Sequence, residues 1–291
     1  MGGLWVDYVK NAEQGLKAGD PGNQRTNIPN LYAIGECDYQ YHGANRLGAN
    51  SLLSCIFSGL FLAPCLQTLL NSSAGAAAEL DASLFSSAVK DHEARHQTLL
   101  SRTGGENPYL VHQELGDVMT RAATVVRRNA QLEEAYGKVC ELEERALQCS
   151  LADTGSWTNQ NVVFTKALID MFPLAKSIVK GALQRDECRG AHFKPDFAMP
   201  SLEATDDAGR LAEANQWCDR FEANTAKWLK STVVTYTNNE PVINYEDVDT
   251  ESDPARPRLY GLVGAEVIEK VWRERAAAKR EQKAKAAATA S

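Results

Sequence analysis

Glu36, His42, Arg46, Asn50 and Ser51 fall within one short polar stretch, interleaved with Gly43 and Gly48. A guanidinium such as Arg46 is a planar fork that holds a carboxylate through two hydrogen bonds. A carboxylate such as Glu36 is an acceptor suited to a ribose or another pair of hydroxyls. The glycines let the backbone approach a ligand closely or take positive φ. Asn50 or Ser51 can cap a following helix, and the N–H groups left over, with the positive end of the helix dipole, favour an anion or an electron-rich ring. Together these residues imply a nucleotide-like cofactor beside an acidic substrate.

The elements that must position them read directly from the flanks. Leu31-Tyr32-Ala33-Ile34 is a short, β-prone apolar run ending at Gly35-Glu36, which predicts a buried strand. Cys37 to Asn50 is a loop, and Ser51 to Leu70 is apolar enough for a helix of several turns. Strand, glycine-bearing loop and helix in that order place a site beyond the carboxyl end of a strand in an α/β sheet. The Ser51–Leu70 run is about long enough to cross a bilayer. It contains Gly59, Pro64 and small polar residues and lacks basic flanks, so a core helix buried on both sides is the preferred reading.

The 291 residues suffice for one large or two ordinary domains, and 44% hydrophobic with 24% charged residues is ordinary for a soluble globular protein. A net charge of −7 argues against nucleic acid as a partner. Seven scattered cysteines form no CxxC pair and no metal-ligand spacing, which points to free thiols, no metal site and a reducing compartment. No signal peptide is recognisable, since Met1-Gly2-Gly3 leads into mostly polar sequence.

Downstream, Asn71–Glu79 reads as a small-residue linker and Ala82–Leu100 as a helix. Helices are also predicted over Pro108–Ala123, Ala123–Gln148, Trp157–Gln184 and Arg210–Lys230. Val125, Leu132, Ala135, Val139, Leu142 and Ala146 form a bundle seam. Val162, Phe164, Leu168, Phe172, Ile178 and Leu183 mark the buried side of the Trp157–Gln184 helix, with a kink or break at Pro173. Glu187, Arg189 and His192 can build a compact polar network around Gly190. Val233–Tyr236, the Asn238–Pro241 turn and Val242–Tyr245 read as a β-hairpin. Arg273–Ser291 is Ala-, Lys- and Arg-rich without apolar periodicity and is expected to be a fraying helix or disordered.

The stretch GECDYQYHGANRLGANSLL resembles, almost residue for residue, a segment of the flavoprotein subunit of succinate dehydrogenase and its relative fumarate reductase. Glu187-x-Arg189-Gly190-Ala191-His192 with Asp196-Phe197, Asn224 to Thr232 (NTAKWLKST) and TYTNNEPVINYEDVD resemble later motifs of the same family. The resemblance runs from Met1 to about Tyr260 and covers only the last part of the family's chain. It implies an α+β fold: a remnant of an FAD-binding α/β domain (1–75), a helical-bundle domain (76–232), a small carboxyl-terminal β-hairpin (233–262) and a basic, partly disordered tail (263–291). It also implies FAD as cofactor, contacted by Glu36, Asn50, Ser51 and Leu52, and Arg46 as clamp for one carboxylate of succinate or fumarate. Expected partners are an iron–sulfur subunit and a membrane-anchor cytochrome b subunit, with electrons passed to a quinone at the cytoplasmic face of the cell membrane. His42 is expected to order the loop, not to carry flavin. The Glu187–His192 turn either abuts the flavin edge or the iron–sulfur partner, or is a buried salt-bridge network that fixes a loop; the second is preferred. The pyrophosphate-binding GxGxxG turn, the flavin-carrying histidine and the proton-donating arginine of the family have no counterpart here. No catalytic residue is therefore assigned, and the chain is expected to be inactive alone. Alternatives are a portion of fumarate reductase or L-aspartate oxidase, or a non-catalytic docking chain.

Overall fold

The computed structural model describes residues 2–13, 15–38, 41–72, 80–155, 157–250 and 255–290. The elements in chain order are α1 (Asn50–Ser72), α2 (Ala82–Ser101), α3 (Pro108–Met119), α4 (Asn129–Leu147), α5 (Gln160–Gln184), α6 (Asp207–Trp228), β1 (Lys230–Thr237), β2 (Glu240–Asp247) and α7 (Ala265–Ala290). Most of the linker expected at Asn71–Glu79 lies outside the described residues.

Helix starts follow side-chain caps. Asp81 accepts from the Ser83 N–H, Asn107 from Tyr109, Asn159 from Val162 and Asp206 from Gly209, each satisfying an orphan donor of the first turn. The principal core lies between α3, α4 and α5. There Val111, Leu115 and Val118 meet Leu132, Ala135, Val139, Leu142 and Ala146, and Leu168, Phe172, Val179 and Ala182 close the third side. The expected seam on α4 is therefore present, although Val125 is 65% exposed, because it precedes the helix. Helix α5 runs unbroken through Pro173. Ile178, expected inside, is 50% exposed, because the interior at that turn is taken by Ala175, Lys176 and Val179.

Lys176 is buried for an electrostatic reason. Its Nζ lies 2.6 Å from Glu143 Oε2 on α4 and donates to the carbonyl of Asn239 at 3.1 Å. Asn239 is in the two-residue turn of the β1–β2 hairpin, whose register runs from Lys230↔Asp247 to Thr237↔Glu240. Asn238 (φ 52°) and Asn239 (φ 62°) both take the left-handed conformation that a type I′ turn needs, which asparagine tolerates. The buried ion pair thus bolts the hairpin tip to the bundle.

Three expectations need correction. The run expected as a buried strand makes only an isolated bridge, Arg25↔Tyr32, and Leu31 and Ile34 are 45% and 38% exposed. Its partner within this chain is the short segment at Gln24–Thr26, which is too brief to support a ladder; Thr26 donates to Leu31 O and Ala33 to Gln24 O. Helix α1 is not buried on both sides. Only the stripe Ser54, Ser58, Leu62 and Cys65, small at its first half, is buried, while Leu52, Leu53, Ile56 and Leu60 are 61–74% exposed. The buried face is the one small enough to let the Gly35 turn approach, and no element of the described chain covers the other. The segment expected as a fraying helix or disordered is helical, as the end of α7, but α7 is packed along α6, to which it runs parallel. Ile268 and Val271 are buried against Trp217 and Cys218, and Arg275 and Lys279 pair with Asp219 and Glu222 at 2.6 Å each. Its apolar anchors precede Arg273, and the acidic face of α6 supplies partners for the basic residues that follow.

Breaking one side of the buried pair leaves an uncompensated charge. Lys176→Met is expected to lower stability by about 3–5 kcal/mol, and adding Glu143→Leu should restore most of the loss. Urea unfolding of wild type, single and double variants reads both outcomes.

Candidate functional site

The stretch that bears the candidate residues is organised from beneath by a buried polar cluster. Tyr41 OH receives hydrogen bonds from Gln24 Nε2 (2.6 Å) and Ser58 Oγ (2.8 Å) and lies 2.9 Å from Tyr8 OH, which donates to Asp38 Oδ2 at 2.6 Å. Burial, with the bond to Asp38, pushes the Tyr8 phenol far above its ordinary range, so it stays a donor. Gln24 and Ser58 are fully buried. His42 Nε2 lies 3.3 Å from Ser54 Oγ, one turn before Ser58 on α1. This agrees with the expectation that His42 orders the loop. The tyrosine cluster itself was not foreseen: Tyr8, Gln24 and Asp38 carry no spacing signal, since their meeting depends on the chain returning on itself.

Glu36 sits in the 3₁₀ turn Gly35–Cys37. Gly35, at φ +64°, donates its N–H to Ser58 Oγ (3.2 Å), and a Cβ there would lie 2.9 Å from Cys55 Sγ. Only glycine permits both the conformation and the close packing on α1. Helix α1 then begins at Asn50, directly after Ala49 at φ +65°. Glu36, Arg46, Asn50 and Leu52 are exposed and Ser51 is half-buried. Neither Glu36 nor Arg46 has a side-chain partner among the described residues.

The Glu187–His192 turn is a buried salt-bridge network. Glu187 is fully buried and accepts from Arg185 Nε (2.7 Å) and Arg189 Nε (3.0 Å). Arg185 also donates to the carbonyls of Trp228 and Lys230 and to Thr232 Oγ1, joining the ends of α5 and α6 to the hairpin. His192 Nε2 lies 2.8 Å from Arg185 O and its Nδ1 lies 2.7 Å from Arg127 Nη1, which assigns the neutral tautomer protonated on Nε2. Burial lowers the His192 pKa to about 4; the bond to Arg185 O opposes the shift, and Arg127, Lys194 and Arg185 reinforce it. Lys194, also fully buried, donates to Leu183 O (2.9 Å) at the end of α5 and to Asp186 (3.0 Å). The same turn touches the candidate loop: Ala191 donates its N–H to Ala44 O at 2.8 Å.

Comparison with known proteins places this arrangement of helical bundle, docked hairpin and glycine-bearing loop among flavoprotein subunits. Residues 112–260 match the fumarate reductase flavoprotein C-terminal family, and residues 1–52 match the FAD binding domain family. The succinate dehydrogenase flavoprotein subunit of Bacillus subtilis is 38% identical over 262 residues, 89% of this chain and 38% of that protein. The fumarate reductase flavoprotein subunit of Haemophilus influenzae is 30% identical, over 90% of this chain and 37% of that protein. A solved quinol fumarate reductase from E. coli superposes with a TM-score of 0.61 at 28% identity, covering 79% of this chain and 36% of that one. The chain belongs to the succinate dehydrogenase/fumarate reductase flavoprotein family, in its carboxyl-terminal portion. It spans less than two fifths of the length of the curated relatives it matches.

The depressed His192 pKa sets a sign for acid sensitivity. The unfolded chain protonates His192 near 6.5 and the folded chain near 4, so the unfolded state binds the proton first on acidification. This contribution to stability is full above pH 6.5 and is lost as pH falls toward 4. His192→Gln is expected to flatten that part of the curve, as read from urea midpoints at about pH 7.5 and about pH 5.

Proposed function

We propose that this chain is the carboxyl-terminal part of a succinate dehydrogenase flavoprotein subunit, in which succinate is oxidised to fumarate and electrons pass through FAD to an iron–sulfur subunit and a quinone. The single observation that carries the site is the pair of unpartnered, exposed charges, Glu36 and Arg46, on either side of the loop that opens helix α1. The residues present fit a flavin dinucleotide. A side chain added at Gly43 or Gly48 would meet nothing within 4 Å, so the loop leaves room for a ligand against its backbone. Glu36 is free to accept ribose hydroxyls, and the N–H groups of Ser51 and Leu52 lie at the dipole-positive start of α1, that of Asn50 donating to Leu47 O at 3.3 Å. The match of residues 1–52 to the FAD binding domain family supports the same cofactor.

Bound FAD supplies the two-electron acceptor. The residues of this chain bind and orient. Arg46 holds one carboxylate of the dicarboxylate through its fork, which fixes the methylene carbons relative to the ring. Glu36, Asn50, Ser51 and Leu52 hold the cofactor. Residues 1–75 are the end of the FAD-binding domain, 76–232 the helical domain, 233–262 the hairpin extension and 263–291 the basic terminal segment. An iron–sulfur subunit and a cytochrome b anchor are the proposed partners, which puts the chain peripherally at the cytoplasmic face of the cell membrane. Apolar Leu52, Leu53, Ile56 and Leu60 on α1 suit a face that packs against further protein of the subunit. Fumarate reduction is the second reading, favoured by the Haemophilus relative, because the same guanidinium clamps either dicarboxylate. The pyrophosphate turn and a proton-donating arginine have no counterpart in these residues, so turnover by this chain alone is not expected.

Arg46→Lys tests the reading, since an ammonium cannot make the bidentate contact. In the FAD-loaded protein, affinity for malonate, a non-reacting dicarboxylate, is expected to fall about 10- to 100-fold with flavin content unchanged. Titration followed by flavin absorbance measures it, and unaltered malonate affinity would refute the assignment.

A further inference from the structure

We infer that the Arg189–His192 turn of the helical domain is the positioning element for Arg46, holding the substrate loop by its backbone. This rests on reading Arg46 as the carboxylate clamp. Tyr41 anchors the start of the loop in the buried cluster and Asn45 N–H donates to His42 O at 3.2 Å, but little else holds the part that carries Arg46. Arg46 and Leu47 are exposed, and neither Gly43 nor Gly48 has an atom within 4 Å of where a side chain would begin. His42 tethers one end to Ser54 on α1, and Asn50 N–H closes the other by donating to Leu47 O at 3.3 Å. Between those ends, among the described residues, the one hydrogen bond from the helical half is Ala191 N–H to Ala44 O, 2.8 Å long and two residues before Arg46.

The contact is shaped on both sides. Gly190 takes φ +58°, and a Cβ there would lie 2.3 Å from Ala44 O and 2.8 Å from Ala44 Cβ. The two backbones are therefore as close as glycine alone allows. The turn that presents Ala191 is itself rigid. Arg189 and His192 exchange backbone hydrogen bonds at 2.9 and 3.0 Å. The Arg189 side chain is fixed on buried Glu187, and the His192 ring is gripped by Arg127 and Arg185 O. Arg127 belongs to the segment after the π-helical turn Thr120–Thr124 and donates its own N–H to Phe193 O at 3.0 Å. A flexible guanidinium clamps well only when its backbone is held within a fraction of an ångström, and here the supporting shell comes from residues far along the chain.

The test uses the FAD-loaded protein and malonate as probe, with three variants. Gly190→Ala forces the turn off Ala44, and Arg127→Gln loosens the His192 ring without touching the loop; Arg127→Lys is the conservative partner. Expected are a malonate affinity at least about 10-fold weaker in Gly190→Ala, a smaller loss in Arg127→Gln that Arg127→Lys partly restores, and unchanged flavin content in all three. Amide exchange of Ala191 should quicken in Gly190→Ala while the α3–α5 core keeps its protection. If Gly190→Ala does not fold, the Arg127 pair decides. Malonate affinity unchanged in the folded variants, with Arg46→Lys still weakening it, overturns the positioning role alone. Malonate affinity unchanged in Arg46→Lys as well overturns the clamp reading beneath it.

Discussion

A fully buried carboxylate, Glu187, is the constraint on which most of this architecture turns. An ionised group without water must be compensated by charge and hydrogen bonds or it destabilises the fold. Glu187 is compensated by Arg185 and Arg189, with Asn224 at 3.5 Å. Both arginines also act beyond this carboxylate, Arg185 through its side chain and Arg189 through its backbone. Arg185 satisfies the carbonyls where α6 gives way to β1, and Arg189 shapes the turn that reaches Ala44. The end of α5, the start of the hairpin and the loop that bears Arg46 are thereby fixed from one buried point. Lys194 does similar work beside it, neutralising the carbonyl end of α5.

Much of the helical half was legible because its signals are local. The Leu132–Ala146 seam has helical spacing, and the expected starts at Ala82 and Pro108 are the observed ones, whereas those expected at Trp157 and Arg210 overlook the caps Asn159 and Asp206. The Asn238–Pro241 turn between two β-prone runs announces the hairpin, whose type I′ turn the structure adds. The failures are equally physical. Leu31–Ile34 has the composition of a strand, but a strand exists only where another segment pairs with it, and composition is silent about that. Helix α1 has the composition of a core helix, yet its buried stripe is serine, leucine and cysteine, chosen by the closeness of Gly35 and not by apolarity. Helix α7 looked like a solvated tail because its anchors, Ile268 and Val271, precede the basic run and because the charges that hold Arg275 and Lys279 lie on α6.

The site divides along the same line. Glu36, Arg46 and the helix start could be picked out from residue types at short spacing. What orders them could not: the Tyr8–Asp38–Tyr41–Ser58 cluster and the Ala44–Ala191 bond join residues with no common pattern in sequence. Glu187, Arg189 and His192 were visible as a polar group, but their reach toward Ala44 was not. Chemistry-bearing side chains are advertised by their type, whereas the backbone contacts that aim them are not.

The loop that bears Arg46 and the segment that precedes it are fastened by partners much further along the chain: Ala191 to Ala44 in the loop, and Glu246 to Trp5 and Asp249 to Lys10 before it. On the ribosome residues 1–50 emerge before the bundle and hairpin that supply these partners, and the long-range contacts must wait for them. Helices α3 to α5, whose contacts are closer in sequence, can form first. The Arg46 loop is therefore made before the residues that fix it, and a nascent chain halted before α5 is complete would display a loop that has not yet been given its geometry.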